Sequence, residues 1–194
     1  SNATAAWLIQ PISENKAPGT DRYSHGLGVG DVNADGRADV VVPQGWWEQP
    51  GESDKPSKWT FHPAPFADSV SNMHVYDFDG DGDMDVLSSS AHAYGIWWTE
   101  QTADGWKQHE IDKSFSQTHS MCLADINGDG LADFVTGKRW WSHGAQGDPD
   151  GGAVPAVVYA FKNEPGADGK RTLVAELLDD GSGVGTQVVA TDVS

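Results

Sequence analysis

Asp31-Val32-Asn33-Ala34-Asp35-Gly36-Arg37-Ala38-Asp39 decides the fold, because the pattern returns twice along the chain. The second copy is Asp77-Phe78-Asp79-Gly80-Asp81-Gly82-Asp83-Met84-Asp85, and the third is Asp125-Ile126-Asn127-Gly128-Asp129-Gly130-Leu131-Ala132-Asp133. Their first aspartates stand 46 and then 48 residues apart. Self-similarity at such a period is the signature of a repeat architecture. Each copy has oxygen-bearing side chains at positions 1, 3, 5 and 9, and a glycine at position 6 where the chain must turn sharply. That is the donor pattern of a hard cation such as calcium. Position 7 (Arg37, Asp83, Leu131) varies freely in side chain, so it is expected to contribute its backbone carbonyl.

Working outward, apolar residues stand four and two places before each first aspartate: Leu27 and Val29, Met73 and Val75, Met121 and Leu123. This period of two reads as a strand. A second apolar run follows each signature (Val40–Val42, Val86–Leu87, Phe134–Val135), so the acidic loop joins two antiparallel strands. Paired tryptophans (Trp46-Trp47, Trp97-Trp98, Trp140-Trp141) suggest a third strand in every unit. A fourth opens on tryptophan at Trp7, Trp59 and Trp106, with a weaker counterpart at 172–177. Four short strands per repeat of this length make the blade of a β-propeller. The expected fold is all-β: three full four-stranded antiparallel blades plus parts of another. The units run over about 7–58, 59–105 and 106–171, with a partial unit at 172–194, in one domain spanning 4–194. Gly144–Gly152 reads as an inserted loop. Trp7–Ile12 and Val188–Ser194 read as an outermost and an innermost strand without the two strands between them. The expectation is therefore a piece of a larger ring, its open edge covered by missing blades or a homo-oligomer. A compact domain with a defective last blade is the alternative.

The signature Asp-x-Asn/Asp-x-Asp-Gly-x-x-Asp between two strands resembles the FG-GAP/VCBS repeat family, best over residues 24 to 141. The resemblance implies an integrin-like β-propeller with calcium in these loops. An EF-hand does not fit, because position 12 is Val42, Ser88 or Thr136 rather than glutamate. Gly45-Trp46-Trp47-Glu48-Gln49-Pro50, Lys138-Arg139-Trp140-Trp141 and the 179–187 stretch look like a bacterial secreted subgroup of these repeats. In style of repeat the chain is also similar to the propeller portion of fungal aldos-2-ulose dehydratase.

Composition narrows the partners. The chain has 194 residues and a net charge of −17, which argues against nucleic acid because phosphate binding needs a basic footprint. Eleven of its 29 acidic residues lie within the three signatures, so two or three structural calcium ions would neutralise part of the excess. Without an ion these loops would be polar Asp/Gly turns. Five carboxylates in the second loop repel one another strongly unless a cation sits among them. Cys122 is the only cysteine, which excludes an intrachain disulfide, and it is expected to be a buried hydrophobe. No apolar run is long enough for a membrane span. Ser1-Asn2-Ala3 looks like the scar of a removed expression tag, so a signal peptide cannot be read from this end.

Hairpin geometry sorts the remaining polar residues. If the acidic loops occupy one end of the inner strands, the opposite end carries His25, Ser71, His119 and Thr186, each six residues before a first aspartate. The partner strands exit there at Gln44, His92 and Lys138-Arg139. In a propeller these positions gather at the mouth of the central channel, where ligands commonly bind. His25, His119, Lys138 and Arg139 are the candidate catalytic groups: imidazoles for acid–base work or metal binding, cations for a carboxylate or enolate. Gln44, Trp46, His92 and Trp140 are the candidate ligand contacts, the two tryptophans as sugar platforms. The competing reading makes the histidines inter-blade hydrogen bonders and pairs Lys138 and Arg139 with the acidic surface. His62, His74 and His109 are expected to be structural. Gly26-Leu27-Gly28-Val29-Gly30 mimics a nucleotide fingerprint but precedes an acidic loop rather than a helix.

These readings lead to a calcium-stabilised module, secreted, periplasmic or on the cell surface, that binds a glycan or protein at the face opposite the loops. A carbohydrate lyase or dehydratase is the alternative.

Overall fold

The computed structural model describes residues 9–51, 58–68, 70–140, 149, 154–167 and 169–192. Twelve strands, and no helix among the described residues, form three four-stranded sheets. The first contains β1 (Gly28–Gly30), β2 (Asp39–Val42), β3 (Gly45–Glu48) and β4 (Thr60–Pro63). The second contains β5 (His74–Tyr76), β6 (Asp85–Ser89), β7 (Tyr94–Thr102) and β8 (Gly105–Ser116). The third contains β9 (Met121–Ala124), β10 (Asp133–Gly137), β11 (Val158–Pro165) and β12 (Arg171–Asp179). Neighbours in sequence are neighbours in each sheet, all antiparallel. Each acidic signature spans the first hairpin of its sheet, as its flanking apolar runs require. A sheet ends on the tryptophan-led strand that opens the next sequence unit, so sequence units and sheets are offset by one strand.

The core lies between sheets. One cluster packs Val41, Trp46 and Phe66 against Val70, Met73 and Val86, joining the first sheet to the second. Another packs Leu87, Ile96 and Phe115 against Met121, Phe134 and Phe161, joining the second to the third. Close approach at the inner strands needs glycine. A Cβ on Gly28 would stand 2.5 Å from the carbonyl oxygen of Met73 on the neighbouring sheet. That explains a glycine-rich run at 26–30 in which no phosphate is involved. Gly28→Val should therefore cost about 1–3 kcal/mol in urea unfolding, as overpacking against backbone does. Val29→Ala, next to it but 63% exposed, should change stability by less than about 0.5 kcal/mol. Equal losses at the two positions would refute the close-approach explanation.

Hydrogen bonds sew the same seams. Met73 N donates to Leu27 O (3.1 Å) between the first two sheets. Ser89 Oγ donates to Thr118 O and Thr118 Oγ1 to Ser90 O, both at 2.8 Å, between the second and third. His74 is structural, as expected: its Nε2 lies 3.2 Å from Met121 O, and burial pushes its pKa down. His62 and His109 recur as a pair. His62 stacks on Trp46 and holds Glu48 at 2.7 Å; His109 stacks on Trp98 and holds Glu100 at 2.6 Å.

Three expectations need correction. The tryptophan pairs are not equivalent: Trp46 faces Val41 and Trp98 faces Leu87, each opposite the tenth residue after its first aspartate, so the pairs are out of step by one. The turns account for the difference: β2 and β3 are joined tightly between Val42 and Gly45, whereas the β6–β7 turn runs from Ser89 to Ile96. In the third sheet Trp140 lies outside the strands, and β11 carries Tyr159 and Phe161 instead; Trp141 lies outside the described residues. Nor do the terminal segments form strands. The described residues 9–12 and 188–192 are not in strand conformation, and Val188 N donates to the Ser120 side chain (2.9 Å). Trp7, Leu8 and residues 193–194 fall outside the described residues, as do 1–3 and all of the expected 144–152 loop except residue 149. Cys122 is half-buried on β9 rather than enclosed.

Candidate functional site

The two ends of the inner strands carry different chemistry. At one end, the three acidic loops share one local construction. The first aspartate accepts the backbone N–H of the glycine at position 6: Gly36 to Asp31 at 2.7 Å, Gly82 to Asp77 at 3.1 Å, Gly130 to Asp125 at 2.9 Å. Position 5 accepts the N–H of position 7 (Arg37 to Asp35, Asp83 to Asp81, Leu131 to Asp129) at 2.8–2.9 Å. Asn33 and Asn127 accept the N–H of Asp35 and Asp129, and Asp79 that of Asp81. These Asx turns wind each loop into a tight coil with its oxygens turned inward.

Position 9 has a further role that spacing did not reveal. Asp39, Asp85 and Asp133 are fully buried, and each carboxylate accepts two backbone N–H groups from separate segments. One oxygen takes the residue after the first aspartate: Val32 (2.9 Å), Phe78 (3.0 Å) or Ile126 (3.0 Å). The other takes the third strand or its exit: Gln49 (2.9 Å), Gln101 (2.9 Å) or Asn163 (2.8 Å). The ninth aspartate is thus a clamp across three segments of its sheet. Burial pushes the Asp85 carboxyl up to about 6, against the pull of the Gln101 and Phe78 N–H groups, with Asp79 adding to the rise. Burial also raises Asp39 and Asp79.

The loops differ in how well they gather charge. Asp77, Asp79 and Asp85 bring carboxylate oxygens within 4.8 Å of one another, a cluster that can hold a metal ion. In the first loop the Arg37 guanidinium pairs with Asp35, stands 3.8 Å from Glu48, and donates to Gln49 O at 2.8 Å. All donors in the three loops are oxygen, which suits a hard divalent cation.

At the opposite end, His25 precedes β1, His92 lies in the β6–β7 turn and His119 precedes β9, so one comes from each sheet. They meet. Their rings stand 4.7, 5.2 and 5.5 Å apart between centroids, mutually close to perpendicular. His25 Nε2 and His92 Nε2 are 3.1 Å apart. The Arg139 guanidinium reaches this group, with Nη2 3.3 Å from His92 Nδ1. Arg139 and Lys138 are both buried, so neither is a surface cation. Other candidates stand apart. Gln44 is exposed, and its carbonyl holds Ala64 N (3.0 Å). Ser71 Oγ bonds Ser89 Oγ at 2.6 Å. Trp46 is only 8% exposed with His62 flat against it, so it is core and not a sugar platform. Trp140 is 66% exposed and lines an open cleft of about 390 Å³ with Arg139, Ser182 and Thr186.

Gln117 was not legible in the sequence. It is fully buried, and its backbone is left-handed (φ 62°), which is rare for a side chain of this size. Its Oε1 accepts from Arg139 Nε (3.1 Å) and Nη2 (2.9 Å), while its Nε2 donates to His92 O (3.1 Å). Its own carbonyl accepts from His119 N at 2.8 Å. One strained residue thus ties Arg139 to two of the three histidine segments.

Three sheets, each running inner strand to outer strand and packed face to face around their inner strands, are the blades of a β-propeller. An FG-GAP-like repeat profile matches residues 77–136 and an FG-GAP repeat profile matches residues 118–156. Residues 77–156 thus carry FG-GAP repeats, a kind of repeat that forms such blades. The first acidic loop lies outside both matches but has the same internal bonding. No curated protein matches the chain. No helix among the described residues is long and apolar enough to cross a membrane.

Proposed function

We propose that this is a calcium-stabilised propeller module that binds a carbohydrate or protein ligand outside the cytoplasm, at the histidine-lined mouth opposite the acidic loops. The observation that carries it is the meeting of His25, His92 and His119, one from each blade, beside the buried Arg139. Imidazoles and a guanidinium gathered in a protein of net charge −17 favour a ligand with an anionic group, such as a carboxylate. The exposed face of Trp140, next to Arg139 in sequence, supplies a flat surface for a sugar ring. In the loops, Asp31, Asn33, Asp35 and Asp39, with their counterparts at 77–85 and 125–133, would hold two to three structural ions. Millimolar extracellular calcium fills sites of this kind, which is the basis for a secreted, periplasmic or cell-surface location.

The His25–His92 contact favours a second reading. With Arg139 donating to His92 Nδ1, a neutral His92 carries its proton on Nε2 and donates it to His25 Nε2. His119, or His25 once its bond to His92 is broken, would then act as the general base of a lyase or dehydratase, with Arg139 or Lys138 beside the developing oxyanion. A panel of neutral and carboxylated glycans and keto-sugars, assayed for both binding and turnover, tests the proposal. Binding that falls at least tenfold in His25→Ala and His119→Ala is expected. Turnover lost in the same variants would establish the enzyme reading. Binding unchanged in both would place the ligand elsewhere and overturn the proposal.

A further inference from the structure

We infer that His25, His92 and His119 form a binding site for one divalent transition-metal ion of the zinc class, chemically distinct from the oxygen-lined loops. One ring nitrogen from each of the three lies within 4.8 Å of the others. Nitrogens bound to a common tetrahedral zinc at about 2.0–2.1 Å stand roughly 3.4 Å apart. The His25–His92 separation of 3.1 Å is already in that range, and His119 needs only a small displacement to join. The near-perpendicular rings matter too. The rings are not stacked face on face, which leaves a nitrogen of each within reach of the other two.

Ligand chemistry separates this site from the loops. Imidazole suits zinc, copper or nickel, whereas carboxylates and carbonyls suit calcium and magnesium. The supports differ as well. Gln117 anchors the His92 and His119 segments through His92 O and His119 N, and so sets their spacing before any ion arrives. Three imidazoles leave one position of a tetrahedral ion open, where a carboxylate or hydroxyl oxygen can bind. Arg139 sets a limit on affinity. Its donation to His92 Nδ1 favours the tautomer with a proton on Nε2, so an ion must displace that proton to bind there. An imidazole committed to an ion cannot also serve as a base, so the metal site and the His25 or His119 base are mutually exclusive uses of one cluster.

The test is a zinc titration of the whole chain by calorimetry, with no glycan present and with calcium saturating so that the loops do not compete. One ion per chain is expected, weakened at least tenfold in His25→Ala and in His119→Ala. His109→Gln, at the Trp98 stack, should leave it unchanged. Cobalt added to the wild-type protein should give the intense visible absorption of four-coordinate geometry, a readout that does not depend on any variant folding. Absence of zinc binding to the wild type, or binding undiminished in both alanine variants, would overturn the inference. Because no sugar is involved, that failure is separate from failure of the glycan panel.

Discussion

Asp133→Ala should lose about 3–5 kcal/mol of unfolding free energy, in EDTA as well as in calcium. Truncation leaves the N–H groups of Ile126 and Asn163 without their acceptor, and the residue they bind is fully buried. Stranding the buried Asn163 donor costs about 1–3 kcal/mol and the more exposed Ile126 donor less, with the cavity left by the side chain adding to both. For a chain of this size that amounts to a fall in Tm of roughly 10 °C or more. Persistence of the loss in EDTA is the informative part, because it separates the clamp from any metal. Asp85→Ala should also destabilise in EDTA, by less than its two lost N–H bonds alone would suggest. Burial already holds the Asp85 carboxyl at about 6, so at neutral pH removing it also relieves the cost of a buried charge. Urea melts of both variants, with and without EDTA, check this. No change in Asp133→Ala under chelation would mean that the backbone clamp contributes nothing.

Removing calcium from the wild-type protein should be the other large effect. A ligand present at 100 times its Kd stabilises by about 2.7 kcal/mol per site, so two filled loops contribute about 5 kcal/mol. A drop in Tm of about 10–20 °C in excess EDTA is expected, recovered on adding calcium. Asp81→Ala should remove part of this calcium-dependent increment while leaving stability in EDTA nearly unchanged. Asp81 is exposed and its carboxylate serves only the loop itself, accepting Asp83 N at 2.9 Å. A melting curve indifferent to EDTA would eliminate calcium as a fastener of this fold.

The acidic loops and the histidine mouth were legible for a common reason: both follow from hairpin geometry. Turn residues at fixed offsets locate the loops. Once the loops are at one end, strand alternation sends His25, His92 and His119 to the other. The tryptophans misled because their positions depend on register. The longer β6–β7 turn, Ser89 to Ile96 against Val42 to Gly45 in the first sheet, and the long segment before β11 each move the chain relative to the acidic signature, and neither has a local mark that a repeat alignment can see. Trp46 looked like an open ring but is roofed by His62 from the next strand. Gln117 and the second partner of each ninth aspartate were invisible because their contacts join residues 10 to 30 positions apart.

The paired hydroxyl contacts of Ser89 and Thr118 lie beside His119 and Ser90, at the far end of the strands from the acidic loops. They contain no ionisable group and no ion, so draining calcium leaves their bonding intact. On the proposed reading the two ends would then respond separately below the melting transition: ions in the loops would set how long the fold survives, and the histidine mouth would set what it binds. Ligand affinity at the histidine mouth is accordingly expected to hold across calcium concentrations that shift stability strongly, so that calcium would tune the lifetime of the proposed binding site and not its strength.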